Sequence, residues 1–188
     1  MSAIKPSLVF SHWVQRTQTD PISSALLRDL SGTWQWEHVL GTIEKAITQC
    51  AATPHWALSL FHITHEHAHT MLTSGKFIAL QAAREITKLT KHTLVTQKAM
   101  GETPLGEYGP LPLENAQHIA IPLLSHNQVI GVLELESSSP VEATNAAQEI
   151  SYLLSFTELL SLVLAHAQTI KYVETLTIHD EWTGLYNS

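Results

Sequence analysis

The sequence contains little of what several classes of protein require. Cys50 is the only cysteine in 188 residues, so no disulfide can form within the chain, and the reducing cytoplasm is the expected location. Basic residues are also few, since ten Lys and Arg stand against 17 Asp and Glu. A nucleic-acid-binding surface needs a basic patch that displaces counterions from phosphates. We therefore expect no nucleic-acid partner.

Targeting and membrane signals are scarce as well. The first ten residues, MSAIKPSLVF, lack the basic start and the long apolar stretch of a secretory signal. Residues 150–167 are long and apolar enough to cross a bilayer, but Glu158 lies in their middle. A span would place that carboxylate in hydrocarbon, which is costly. We therefore expect no membrane insertion.

Common catalytic motifs are missing. The chain has no P-loop, no glycine-rich dinucleotide motif and no nucleophile-elbow serine. The dipeptide His179-Asp180 occurs in metal-dependent phosphohydrolases, but those enzymes need further His and Asp ligands on other helices. We expect no enzymatic activity from these 188 residues.

Apolar periodicity predicts most of the secondary structure. Over residues 34–51 apolar side chains recur every three or four positions, which predicts an amphipathic helix. Shorter apolar stretches predict four strands, and another periodic stretch predicts a second helix. The strands cover residues 55–64, 67–74, 118–124 and 128–137, and the second helix covers residues 76–92. Residues 93–117 hold three Gly and three Pro and predict irregular structure.

The clearest hairpin joins residues 118–124 to residues 128–137 through Ser-His-Asn, with Asn127 suited to a positive φ angle. Alternation along the second strand predicts two faces. One face holds Ile130, Val132, Glu134 and Glu136, and the other holds Val129, Gly131, Leu133 and Leu135.

The last predicted helix is unusually long. It starts near residue 139 or residue 145 and continues to about Ile178. Between Tyr152 and Ala167 its apolar residues surround the helix almost completely, so more than one side must be covered. We expect one side to pack on its own domain and another to pack on a second copy of the chain. The candidate residues for this dimerisation and signalling helix are Leu159, Val163, Ile170 and Val173.

The stretch IAIPLLSHNQVIGVLELES resembles the most recognisable part of the GAF domain family. The preceding helix, the ALSLFHIT strand and the long final helix follow in the family's order, so the resemblance covers about residues 33–175. It implies an α+β fold, with helices packed on an antiparallel sheet and a long C-terminal signalling helix. GAF domains act as regulatory sensors, and some of them bind small ligands.

The end of the chain, HDEWTGLYNS, resembles the D-x-L-T-G-L-x-N-R phrase that opens GGDEF domains, the catalytic modules of bacterial diguanylate cyclases. Trp182 stands where Leu is usual and Ser188 where Arg is usual. We interpret the chain as a sensory fragment that ends just inside its output domain, with a diguanylate cyclase, or a degenerate one, as its parent. The expected division is an N-terminal arm with a short helix (1–32), a GAF-like sensor (33–168), a linker helix (169–179) and the start of a GGDEF domain (180–188).

The GAF resemblance also implies a ligand site beneath a lid formed by residues 76–117. The candidate ligand-binding residues are His62, Phe77, Met100, Tyr108 and His118. Taken one at a time, residues of these types are more often packed or surface residues than ligand contacts, and a fold-level analogy does not locate a site. A bilin would need a cysteine in the lid, whereas Cys50 lies on the first core helix, so a bilin is disfavoured. A haem with a histidine ligand stays open, and the identity of any ligand is unknown.

Twelve histidines include three that alternate, His65, His67 and His69. On one continuous strand they would project to the same side and could bind zinc, copper or nickel. The alternative is a polar turn with solvent-exposed histidines.

Three hypotheses for the function of the chain remain: a dimeric sensor that transmits a small-ligand signal, a ligand-free dimerisation scaffold, and a metal-binding sensor that uses the histidines of residues 62–69.

Overall fold

A computed structural model of the chain describes residues 19–51, 53–61, 68–74, 86–137 and 143–178. The helices are α1 (Thr19–Leu30), α2 (Trp36–Cys50), α3 (Lys88–Thr96) and α4 (Ala143–Ile178). The strands are β1 (His55–Phe61), β2 (Ala68–Thr73), β3 (Met100–Glu102), β4 (Tyr108–Pro110), β5 (His118–Ser125) and β6 (Gln128–Glu136). Within these ranges the strands form one antiparallel sheet in the order β2-β1-β6-β5-β3-β4, and the predicted α+β class is confirmed.

The helices α2 and α4 cover one face of the sheet, which we call the helix face. Each buried residue of α2 lies three or four positions from another buried residue, so these residues lie on one side of the helix. Its apolar side packs with α4 and with alternate residues of the strands around Trp56, Leu58 and Ile121. This large cluster is the main hydrophobic core of the domain.

The opposite face of the sheet, which we call the α3 face, carries a smaller core. Leu89 of α3 packs there with Met100, Ala120 and Val132 of three neighbouring strands. Thr87 caps α3 by accepting a hydrogen bond from the Thr90 backbone N–H at 3.0 Å. The strand β6 is therefore covered on both faces. In a two-layer domain, one face of such a strand would be exposed to solvent.

The structure confirms the predicted hairpin and corrects one detail of its faces. His126 and Asn127 adopt φ angles of 49° and 62°, as a two-residue hairpin turn requires. The pairing changes register between Leu123 and Leu124, so β6 carries one extra residue in a bulge. Ile130 therefore joins the core of the helix face instead of sharing the α3 face with Val132.

Two further expectations differ from the structure. The helix expected over residues 76–92 is represented among the described residues by α3, which continues four residues further, to Thr96. Residues 93–117, expected to be irregular, include the short strands β3 and β4. These strands have three residues each, too few for alternation to be visible in the sequence. They extend the sheet beyond β5.

Helix α4 is continuous over 36 residues. Leu153, Leu160 and Leu164 belong to the main core, so one side of the helix packs on its own domain, as expected. By length and composition alone, the part of α4 from Ala147 to Glu174 could cross a membrane, but half of its apolar window is buried inside the domain. A core helix has this property. The helix begins at Ala143, between the two expected starts near residues 139 and 145.

The position of Gly131 beside β1 gives a first prediction. A Cβ atom at residue 131 would lie 2.8 Å from the Ser59 carbonyl oxygen and 2.8 Å from Leu60 Cδ2. We expect Gly131→Ala to lower the free energy of unfolding by about 1–3 kcal/mol, because the backbone oxygen can move little. Chemical denaturation measures this change.

Gly41→Ala is the matched control, since a Cβ there meets nothing within 4 Å and the residue lies inside α2. Alanine should stabilise this helix by about 0.5–1 kcal/mol. Equal effects of the two substitutions would contradict the close approach of β1 and β6.

A second prediction concerns the single thiol. Cys50 is buried in the main core, and burial raises the pKa of its thiol to about 12, although a hydrogen bond with Tyr152 opposes this shift. We expect Cys50 to react with a thiol-specific reagent only after the domain unfolds, because the reactive thiolate is disfavoured and inaccessible. The measurement compares labelling rates with and without denaturant, and rapid labelling of the folded chain would contradict it.

Candidate functional site

The α3 face carries a buried carboxylate. Glu134 lies in β6 and is only 1% exposed, so its charge must be satisfied by hydrogen bonds from the protein. Thr87 donates its hydroxyl hydrogen to Glu134 Oε1 at 2.6 Å. The same hydroxyl caps α3, so Glu134 joins the middle of the sheet to the start of the helix that covers it.

His118, at the beginning of β5, lies between two carboxylates. Its Nδ1 is 3.3 Å from Glu102 Oε2 and its Nε2 is 2.9 Å from Glu134 Oε2. A neutral imidazole donates through one nitrogen only, whereas an imidazolium donates through both. The two contacts are therefore both favourable only when His118 carries a positive charge.

His118 and Glu102 belong to a row of residues that crosses five strands. In the register of the sheet, His55 lies opposite Glu136, Glu136 opposite His118, His118 opposite Glu102, and Glu102 opposite Tyr108. Directly opposed residues lie on the same face of a sheet, so the row alternates His and Glu side chains along the α3 face and ends at Tyr108. We call it the His-Glu row.

Tyr108 ends the His-Glu row and contacts α3. Its pKa is raised by partial desolvation and then by the hydrogen bond and the negative charge of Glu102. Its ring stacks on His92 of α3, with 4.9 Å between the ring centroids and 23° between the planes. The row therefore reaches α3 at its outer end.

Two buried hydroxyls lie on the inner side of α3. Thr90 Oγ1 and Thr93 Oγ1 belong to fully buried residues and have no hydrogen-bond partner within the described part of the chain. Buried polar atoms are normally paired with the protein, with water or with a ligand. Together with Glu134 and His118, these hydroxyls place a group of polar side chains on the α3 face.

The structure brings together three of the five candidate ligand-binding residues. Met100 is buried on the α3 face, His118 lies on the neighbouring strand, and Tyr108 stands at the edge. His62 and Phe77 lie outside the described residues. The sequence analysis missed the roles of Glu102 and Glu134, although the alternation along β6 correctly placed Glu134 on the face of Val132.

The proposed metal ligands are not tested by the structure. His65 and His67 lie outside the described residues, and His69 is described only through its backbone, which pairs with Leu60. Within the described ranges, no group of three or more His, Cys, Asp or Glu side chains could hold a metal ion. The metal site at residues 65–69 stays a prediction.

The candidate signalling residues differ in exposure. Val163 is 2% exposed and packs in the main core, so its side chain faces its own domain rather than a second chain. Leu159 and Ile170 are half-buried, and Val173 is exposed. Leu162, absent from the candidates, is the most exposed large apolar residue of α4 that is described.

The first residue of α2 and a residue just before it contact the C-terminal part of α4. Trp34 contacts the His166 ring edge-on, with 4.4 Å between centroids, and Lys171 Nζ lies 5.0 Å from the centre of the Trp36 ring. These contacts place the last turns of the packed part of α4 beside the first core helix.

By sequence, the chain matches no protein-family profile and no curated protein. In three dimensions it is similar to solved structures of GAF domains. The GAF domain of an Acinetobacter phosphoenolpyruvate-protein phosphotransferase is 15% identical, with a TM-score of 0.59, 82% of this chain covered and 98% of that one. The GAF domain of the corresponding protein (ptsP) from Coxiella burnetii is 14% identical, with a TM-score of 0.58 and coverages of 83% and 98%.

An enzyme has a similar structure as well. The free methionine-R-sulfoxide reductase of Neisseria meningitidis, solved in complex with its substrate, is 14% identical, with a TM-score of 0.50 and coverages of 82% and 90%. At such identities the similarity concerns the fold and leaves the activity open. The six-stranded antiparallel sheet, the helices packed on it and the long C-terminal helix give this chain the fold of a GAF domain.

Proposed function

We propose that the chain is a cytoplasmic sensory module that dimerises through α4 and transmits a small-ligand signal to a diguanylate cyclase domain following it. The observation that carries the proposal is the continuity of α4, which packs on the sheet and extends to Ile178. The GGDEF-like phrase of residues 180–188 begins two positions later. A continuous helix of this kind transmits rotation or a change of register between its two ends.

The sheet is connected directly to this helix. The backbone N–H of Leu124, in β5, donates to Ser161 Oγ of α4 at 3.2 Å, and Ser161 Oγ donates to the Thr157 carbonyl oxygen at 2.7 Å. His118 of the His-Glu row lies on the same strand. A ligand on the α3 face would therefore contact a strand whose other end is bonded to α4.

The exposed side of α4 provides a surface for a second copy. Leu162 and Val173 are both more than half exposed, and Val173 follows 11 positions later. Eleven residues are about three helical turns, so both side chains lie on nearly the same side. Burial of a leucine side chain stabilises an interface by about 1.5–3 kcal/mol, so a symmetric pair of helices gains from this contact.

Enzymatic activity is not part of the proposal. A similar fold serves a reductase in Neisseria meningitidis, but the one thiol of this chain is buried in the main core. The ligand-free scaffold uses the same α4 surface and differs from the sensor only in the absence of a ligand. The metal-binding sensor depends on the histidines of residues 62–69, outside the described side chains.

A third prediction tests the dimer. We expect the unmodified chain to be dimeric at micromolar concentration, and Leu162→Glu and Val173→Glu to raise the dissociation constant by at least about tenfold each. A desolvated carboxylate in an apolar interface costs more than the roughly 1.4 kcal/mol that corresponds to a tenfold change. Sedimentation equilibrium measures the constant.

The chain offers matched controls for both substitutions. Leu105→Glu and Val95→Glu place the same carboxylate at positions that are 87% and 86% exposed but lie away from α4. They should leave the dimer unchanged. An unmodified chain that is monomeric, or equal effects of the controls, would remove the support for dimerisation through α4.

A fourth prediction tests the output function in the full-length parent. Two residues inserted after the exposed Glu174 rotate the following domain by about 200°, whereas seven residues rotate it by nearly two whole turns. We expect the first insertion to change the rate of cyclic-di-GMP synthesis from GTP by about fivefold or more. The seven-residue insertion should keep the original rate more closely.

The circular dichroism spectrum of each parent variant provides a check that α4 remains helical. A parent that makes no cyclic-di-GMP under any condition would refute the cyclase assignment. Equal rates for the two insertions would refute transmission through the orientation of α4, while leaving the cyclase assignment intact.

A further inference from the structure

Two chains of contacts start at the His118 ring and end on α3. The first runs from His118 Nε2 to Glu134 Oε2, and from Glu134 Oε1 to the Thr87 hydroxyl. Thr87 caps the first turn of α3 through the Thr90 backbone N–H. This chain therefore fixes the beginning of the helix.

The second chain runs in the opposite direction along the His-Glu row. His118 Nδ1 faces Glu102 Oε2, and Glu102 forms a side-chain hydrogen bond with Tyr108. The Tyr108 ring stacks on His92, in the middle of α3. This chain therefore holds the helix at a second point, one turn beyond its cap.

Both chains are complete only when both ring nitrogens of His118 carry hydrogen. A neutral ring turns a lone pair toward one of the two carboxylates, and that contact becomes repulsive. The Glu134 side chain is 2% exposed and cannot reach water, whereas the Glu102 side chain is 27% exposed. The neutral ring therefore keeps its hydrogen on Nε2, and Glu102 is the residue that turns away.

We propose that a proton on His118 controls how α3 is held on the sheet. With the proton bound, α3 is fixed at Thr87 and at His92. When the proton is lost, the Glu102 contact opens and the helix keeps its cap but loses the support of Tyr108. Because α3 covers the face where the proposed ligand would bind, this device regulates access to the site of the proposed sensor, and to that extent it rests on the proposed function.

Other charged side chains lie near His118 on the neighbouring elements. Glu136 of β6 lies directly opposite His118, and His55 of β1 follows it in the row. The two lysines of α3, Lys88 and Lys91, are exposed to solvent. Within the described part of the sheet, three glutamates, Glu102, Glu134 and Glu136, therefore lie beside His118.

A fifth prediction follows for nuclear magnetic resonance. Imidazole side chains change charge between about pH 5 and about pH 8, so we expect the ¹⁵N signals of the His118 ring to show hydrogen on both nitrogens at the acid end. At the alkaline end, hydrogen should remain on Nε2 alone. The backbone amide signal of Tyr108, whose ring loses its Glu102 contact when the proton leaves, should shift over the same pH interval as the ring of His118.

Two variants separate this device from other effects. His118→Gln should abolish the pH response of the Tyr108 amide, while His126→Gln, at an exposed turn histidine outside the row, should preserve it. Glu102→Gln removes the negative charge of the partly exposed carboxylate beside His118 Nδ1. In this variant the ring of His118 should lose its second hydrogen at a lower pH than in the unmodified chain.

Each measurement can overturn the proposal. A His118 ring that stays in one neutral form throughout the range would refute it. A Tyr108 response that persists in His118→Gln would assign that response to His92 and refute the proposal, and an unchanged ring titration in Glu102→Gln would refute the second chain of contacts. None of these measurements depends on dimerisation or on cyclase activity, so the proposal can fail while the proposed function stands.

Discussion

A carboxylate in the middle of a buried strand needs hydrogen-bond donors, and the arrangement of the α3 face follows from that need. Burial of an unpaired carboxylate costs several kcal/mol, more than a small domain can lose without consequence. Glu134 accepts a hydrogen bond from the Thr87 hydroxyl and forms another with Nε2 of His118. The first donor fixes the start of α3, and the second fixes the orientation of a ring that also faces Glu102. One buried charge thereby sets the positions of a helix and of a second acidic residue.

The two faces of the sheet have different physical roles. On the helix face, apolar side chains of α2, α4 and the central strands form one continuous core. On the α3 face the apolar cluster is small, and the buried polar residues Glu134, Thr90 and Thr93 lie beside it. Stability therefore comes mainly from the helix face, while the α3 face carries the hydrogen-bonded polar groups.

Periodicity predicted the elements of this fold better than it predicted the site. The stripe of α2, the length of α4 and the β5–β6 hairpin are properties of contiguous residues, so the sequence shows them. The contact between His118 and Glu134 depends on the register of two strands, and alternation alone does not determine register. The bulge at Ile130 further shifts which side chains share a face, and three-residue strands such as β3 are too short to show a period. The family resemblance indicated His118, Met100 and Tyr108, but it could not indicate the carboxylates around them.

The strand β5 is the element through which the two faces are related. His118 at its beginning belongs to the α3 face, and the Leu124 backbone near its end is bonded to Ser161 of α4 on the helix face. Six residues of extended strand separate them, about 20 Å. Packed strands do not stretch, so a signal from one end reaches the other only if the whole strand moves or if its neighbours exchange partners. For α4 to report the state of the α3 face, the ligand or proton must bind one position of β5 better than another, and that difference in binding free energy sets the limit of the response.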